Sequence, residues 1–220
     1  YKDNYDASFF NKYFCNIYLI NLESRKDRLL NMLALINKYN LKIEIIKAIN
    51  GKEEPYLSEY YEKEINLKKG EYGYLLTIQK ILEDAKNNNY KKILILDDDI
   101  YISKYFYNFE YYTKYLCKDW DFLYLGSSQH YWKEDYNIKY TNYKFLYHPL
   151  RSSGSFSLGI DHKVFDELLN NIKKYDSPFD SNPIHDIINK NYKKSFAIYP
   201  NLFIANVENS DIRDSRDIIQ

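Results

Sequence analysis

The 220-residue chain balances 31 Lys and Arg against 31 Asp and Glu, and no block of five like charges interrupts that balance, which argues against a nucleic-acid or anionic-membrane binder. Its length suits one substantial core, and no apolar run approaches the roughly 18 to 20 residues that span a bilayer. Cys15 and Cys117 are far apart in sequence, with neither a CxxC spacing nor a companion His cluster, so neither a disulfide framework nor a zinc site is read from them.

Residues 14–20 (FCNIYLI) predict a buried strand that ends in the polar stretch Asn21, Leu22, Glu23, Ser24. Leu29, Leu33 and Ile36, with Leu30 and Ala34 beside them, predict an amphipathic helix over residues 25–39. Residues 42–48 (KIEIIKA) predict a second strand, broken at Asn50-Gly51. A second helix over residues 70–89 places Leu75, Ile78, Leu82 and Ala85 on one face, and three asparagines end it. Residues 93–96 (ILIL) form the most apolar strand, as a central parallel strand covered on both faces would. It runs straight into Asp97, Asp98 and Asp99.

A helix follows over residues 103–116, a strand over 121–125, and a long irregular segment from Gly126 to Gly154. Residues 155–160 predict another strand. Asp161 is placed to cap a helix bearing Val164, Phe165, Leu168, Leu169 and Ile172. Asn182-Pro183 opens a short helix, and residues 196–199 and 202–205 close the pattern as short strands. Alternating strands and helices predict an α/β domain with a central, mostly parallel sheet. In such sheets ligands bind beyond the carboxyl ends of the strands, which is where the three aspartates are delivered.

Alternate side chains of an extended chain share a side, so Asp97 and Asp99 should point together and Asp98 away. Adjacent carboxylates repel and call for a cation or solvent. Oxygen-only ligands suit magnesium or manganese, whose shells are completed by phosphate oxygens and water. A solvated acidic turn is the alternative. Arg25 and Arg28, three apart at a helix start, offer rigid forks to phosphate or a planar surface to a base; a solvated helix face is the alternative there.

Several segments, in order, resemble glycosyltransferase family 25. Ile17 to Leu22 (IYLINL), followed by Arg25, Asp27 and Arg28, is similar to the family's opening strand and Arg-bearing donor loop. Gly70-Glu71-Tyr72-Gly73 is similar to its Gly-Glu-x-Gly motif, and Leu96-Asp97-Asp98-Asp99-Ile100 to its Leu-Glu-Asp-Asp metal motif. Gly154-Ser155-Phe156-Ser157-Leu158, Tyr199-Pro200 and Ser210-Asp211-Ile212 resemble later motifs. Where the family carries Ser-His after Gly-Glu-x-Gly, this chain has Thr77-Ile78, and residues 129–151 match no motif of the family.

The resemblance implies a single GT-A, Rossmann-like domain over residues 1–220, with a nucleotide-binding half at about 14–126 and an acceptor-side half at 127–220. It implies a metal-dependent, inverting transfer of a hexose from a UDP-sugar to an acceptor hydroxyl on a glycan or protein. Mn2+ (or Mg2+) would sit on Asp97 and Asp99, and Arg25, Arg28, Asp98 and Gly154 would serve the donor. Such a site also needs a late ligand and a base, and Asp180, His185 and Asp186 gather near the Asn182-Pro183 helix start. His185 is the candidate third metal ligand; Asp186, or else Asp180, is the candidate base. Residues 129–151, with Tyr131, Trp132, Tyr140 and Tyr143, are expected to form a mobile loop that contributes to acceptor binding. A non-catalytic nucleotide-sugar or glycan-binding module on the same fold is the main rival. A phosphoryl- or nucleotidyl-transferase is a second, and the absence of a GxxxxGK[ST] loop counts against its kinase version. Expected partners are a nucleotide-sugar donor and a glycan or glycoprotein acceptor, with no nucleic acid. Residues 1–13 are not signal-like and no membrane span is read, so the expected location is cytoplasmic or unknown; the absence of an initial Met leaves an excised domain open.

Overall fold

Ile93, Leu94, Ile95 and Leu96 are each at most 1% exposed, and the alternation of a strand sends them into two different cores. In the computed structural model, which describes residues 7–134 and 136–206, Ile93 and Ile95 belong to one hydrophobic cluster and Leu94 and Leu96 to the other. The sheet is therefore covered on both faces.

In chain order the elements are α1 (Ser8–Tyr13), β1 (Asn16–Asn21), α2 (Lys26–Tyr39), β2 (Glu44–Lys47), α3 (Tyr56–Glu62), α4 (Lys69–Asn87), β3 (Lys92–Asp97), β4 (Ile100–Ile102), α5 (Phe109–Thr113), β5 (Phe122–Ser128), β6 (Ile138–Tyr140), β7 (Leu146–Pro149), β8 (Ser153–Asp161), α6 (Phe165–Ile172), α7 (Asn182–Lys190), β9 (Ser195–Ile198) and β10 (Phe203–Ala205). Eight strands form one sheet in the order β2-β1-β3-β8-β5-β9-β7-β6, and β10 pairs with β4 beside it. β2, β1 and β3 are parallel, as are β5 and β9. β8 runs antiparallel between β3 and β5, and β7 antiparallel between β9 and β6. The remaining six strands share one direction, so most carboxyl ends meet at one edge.

One core lies under α4, α6 and α7, where Leu75, Ile78, Leu82 and Ala85 are wholly buried as the helical spacing predicts. The other lies under α2 and α5 and is rich in Phe, with Phe10, Phe106, Phe109 and Phe203 in ring contact. The apolar stripe expected on α2 is met in part: Leu29 and Ile36 pack against this core beside the buried Met32 and Tyr39, whereas Leu30 and Leu33 face solvent. α2 ends at Asn40 in the left-handed region (φ 50°), whose backbone N–H bonds back to the Asn37 carbonyl.

The irregular segment expected between Gly126 and Gly154 is largely sheet. β5 continues to Ser128, with its register shifted around Gly126, and β6 and β7 extend the sheet. A mobile loop over residues 129–151 is thus replaced in part by two paired strands. β4, directly after the carboxylates, was also not read from the sequence. Cys15 and Cys117 are free and exposed. Among the described residues no helix is long and apolar enough to cross a membrane. Ser210, Asp211 and Ile212 lie outside the described residues.

Candidate active site

β3 delivers Asp97 at its last position, and Asp98 and Asp99 make the turn into β4. The three carboxylates have different surroundings. Asp98 is buried and accepts hydrogen bonds from Asn21 Nδ2 (2.6 Å) at the end of β1 and from Arg28 Nη1 (3.0 Å) on α2. Arg28 Nη1 also reaches Asp99 Oδ2 at 3.3 Å. Asp97 Oδ1 accepts from the Tyr74 hydroxyl at 2.9 Å. Burial first, then the Asp99 charge, push the Asp97 carboxyl up to about 8, against the Tyr74 hydrogen bond that favours its ionised form. Asp99 is also raised, mainly by burial, with Arg28 opposing.

Two cavities meet at this turn. The first, about 330 Å3, is walled by Leu22, Ser24, Arg28, Asn50, Gly51, Tyr74 and the three aspartates. The second, about 290 Å3, is walled by Lys68, Ser128, Gly154, Ser155, Phe179 and Asp180. Tyr74, Asp97 and Asp99 line both, while Asp98 lines the first and not the second. Asp97 and Asp99 thus both line the second cavity, whereas Asp98 is tied back toward β1 by Asn21.

The floor of the first cavity depends on a close backbone approach. A Cβ on Gly73 would lie 2.4 Å from the Ile49 carbonyl oxygen and 2.6 Å from Gly51 N, and one on Gly51 would lie 2.0 Å from the Lys69 carbonyl oxygen. The two glycines let the segment after β2 sit against the first turn of α4. Thr77 fastens it: its hydroxyl accepts from Ile49 N–H (2.9 Å) and donates to the Gly73 carbonyl (2.8 Å). Glu71 accepts from Lys68 N–H at 2.9 Å and closes the helix start. The Thr77-Ile78 pair therefore serves structure here, with Ile78 wholly in the core.

The structure divides the late cluster. Asp180 walls the second cavity and accepts from Gly154 N–H at 2.6 Å, with Gly154 in the left-handed region (φ 73°) that favours glycine. His185 stands behind this wall, its Nε2 3.4 Å from the Ser152 carbonyl oxygen, and burial lowers its pKa while the Asp180 charge opposes. It lines neither cavity. Asp186 is half-exposed, lies 4.0 Å from Lys174 and is outside both cavities. Arg25 is held to Asp27 by two hydrogen bonds of 3.1 and 3.0 Å, and its carbonyl accepts from Asn21 Nδ2. Neither Tyr74 nor Asn21 is singled out by the sequence as a site residue; Asn21 lies within the opening-strand motif and Tyr74 directly follows Gly70-Glu71-Tyr72-Gly73, but only the fold aims each at a carboxylate.

Among the described residues no three His, Cys, Asp or Glu side chains form a ready metal cage. Asp97 and Asp99 nevertheless suit a divalent cation shared with phosphate oxygens, because two crowded carboxylates on one wall, each with its pKa raised mainly by burial, are what such an ion would neutralise.

The sequence model for glycosyltransferase family 25 (LPS biosynthesis protein) matches residues 14–181. Procollagen galactosyltransferase 2 of Homo sapiens is 25% identical where it aligns, over 51% of this chain and 21% of its own length. A glycosyltransferase 25 family member of Anopheles gambiae is 27% identical, over 50% of this chain and 21% of its own length. The chain therefore spans about a fifth of these relatives. Among solved structures, a glycosyltransferase involved in the glycosylation of the major capsid of PBCV-1 superposes with a TM-score of 0.49 at 11% identity, covering 88% of this chain and 94% of that one.

Proposed function

This chain belongs to glycosyltransferase family 25, and we propose that it moves a hexose from a UDP-sugar to an acceptor hydroxyl with inversion. The observation that carries this reading is the shared wall of Asp97, Asp99 and Tyr74 between two cavities. Transfer between two substrates needs them to meet at one point, and a double-sided carboxylate wall provides it. The first cavity would take the uridine diphosphate and the second the acceptor.

Asp97 and Asp99 would hold Mn2+ or Mg2+, which when bound supplies a Lewis acid that neutralises charge on the departing diphosphate. The protein's own groups do the rest. Arg28, fixed by Asp98 and Asp99, presents a guanidinium edge at the first cavity. Tyr74 O–H holds one Asp97 oxygen and so fixes the direction of the other. We favour Asp180 over Asp186 as base because it walls the second cavity. One Asp180 oxygen is held by Gly154 N–H, leaving the other to accept the acceptor hydroxyl's proton as the oxygen bonds to the anomeric carbon and the bond to UDP breaks. His185, behind Ser152, would support Asp180 rather than touch a metal.

The test measures UDP release with and without acceptor. Asp180→Asn should keep donor binding within threefold and lose at least a hundredfold in transfer. Unchanged transfer in that variant would move the base elsewhere. Tight UDP binding with no turnover on any donor and acceptor would favour the binding-module reading, toward which Ile78 in place of the family's histidine leans.

A further inference from the structure

We infer that a second carbohydrate subsite lies on the same sheet edge and holds a sugar unit of an oligosaccharide acceptor, an inference that rests on the transferase reading above. Trp132, Tyr140, Lys144, Leu146, Tyr147 and Tyr199 wall an open cavity of about 360 Å3. A pyranose has an apolar C–H face and a rim of hydroxyls, and aromatic rings with polar tips match both.

Tyrosine exposure alone carries little weight in a chain with 26 tyrosines, but there are only two tryptophans. Trp120 is wholly buried, whereas Trp132 is 44% exposed at the cavity wall. Tyr147 and Tyr199 meet the Trp132 ring edge to face at 5.1 and 4.9 Å. Its orientation is fixed before any ligand arrives, which lowers the ordering cost of binding. Tyr140 and Tyr199 are about half exposed, and with Lys144 they bring hydrogen-bonding tips to the rim.

The place of this cradle sets what it binds. Tyr140 ends β6, Leu146 starts β7 and Tyr199 follows β9, so all stand at the edge where β3 and β5 end. Ser127 Oγ lies 3.4 Å from the Tyr147 hydroxyl, while the next residue, Ser128, walls the second reaction cavity. β9 and β7 are three and four strands from β3 in the sheet order, which at one strand spacing each is roughly 14 to 19 Å from Asp97. That is too far for the sugar or hydroxyl that reacts, and suits another unit of the same acceptor chain. The acceptor class is therefore an already extended glycan rather than a lone amino-acid side chain or a monosaccharide.

A printed array of oligosaccharides, probed with the whole chain in the absence of donor, tests this. Retained glycans are then titrated by isothermal calorimetry, which reads the wild type and the Trp132 variants alike. The expected result is binding of at least one glycan of three or more units in preference to its terminal monosaccharide. Trp132→Ala and Tyr199→Ala should each weaken it at least tenfold at unchanged melting temperature, and Trp132→Phe should keep part of the affinity. No retained oligosaccharide, or affinities within twofold of wild type in both alanine variants, overturns the inference. Metal-dependent UDP release by the wild type separates the two claims. If it persists while the array is blank, the subsite falls and the transferase reading stands; if it is absent while Trp132-dependent binding is seen, the subsite stands and the transferase reading falls.

Discussion

Asp97, Asp98 and Asp99 are adjacent in sequence but differ in what each touches. Asp98 is tied to Asn21 and Arg28 and orders the turn; Asp97 and Asp99 face the cavities. Arg28 and Arg25 divide similarly, one against the carboxylates and the other against Asp27. Arg28→Lys is therefore expected to raise the donor KM at least fivefold, because an ammonium taken up by Asp98 and Asp99 offers the first cavity no remaining planar guanidinium edge. Arg25→Lys should raise it less. Equal KM values for both variants and wild type, in steady-state kinetics with saturating acceptor, would assign Arg28 to the turn alone.

At the scale of elements, the site depends on α4 receiving the segment after β2. Gly73→Ala places a methyl against backbone that cannot rotate away, so a loss of about 1–3 kcal/mol is expected. It would appear as a melting temperature lower by several degrees and a weakened UDP affinity, since Asn50 and Gly51 wall the first cavity. An unchanged melt would contradict the close approach. The long helix α4 and strand β3 were legible because ILIL and the Leu75–Ile78–Leu82–Ala85 spacing have one reading each. β6 and β7 were not, since three- and four-residue strands rich in Tyr, Lys and His carry no clear alternation. On α2 the stripe was legible in part, since Leu29 and Ile36 pack against the core while Leu33 and the neighbouring Leu30 face solvent. The late cluster was legible as residue types but not as directions: the turns of α7 separate Asp186 from the wall that Asp180 reaches through Gly154. Tyr74 was hidden among 26 tyrosines.

Across the whole molecule, the carboxylate wall sets a cost on folding that a ligand can relieve. Asp97 in the folded chain titrates near 8, above its unfolded value of 3.8, so the folded state holds a proton that the unfolded state has released between these values. The stability tied to that proton is complete below about pH 4 and is lost as pH rises through about 8. Thermal melts in EDTA should thus show the metal-free protein losing stability across that window relative to Asp97→Asn, which lacks the titration. A difference that grows in the opposite direction would show Asp97 to be ionised in the folded chain.

The most direct measurement of the central claim is UDP release from a panel of UDP-sugars with and without Mn2+, in wild type, Asp97→Ala and Asp99→Ala. Manganese-dependent release in the wild type that falls more than tenfold in both variants, a barrier increase above about 1.4 kcal/mol, is the expected result. More than about a tenth of the activity retained in both would contradict the assignment of Asp97 and Asp99 as the metal-holding wall between donor and acceptor.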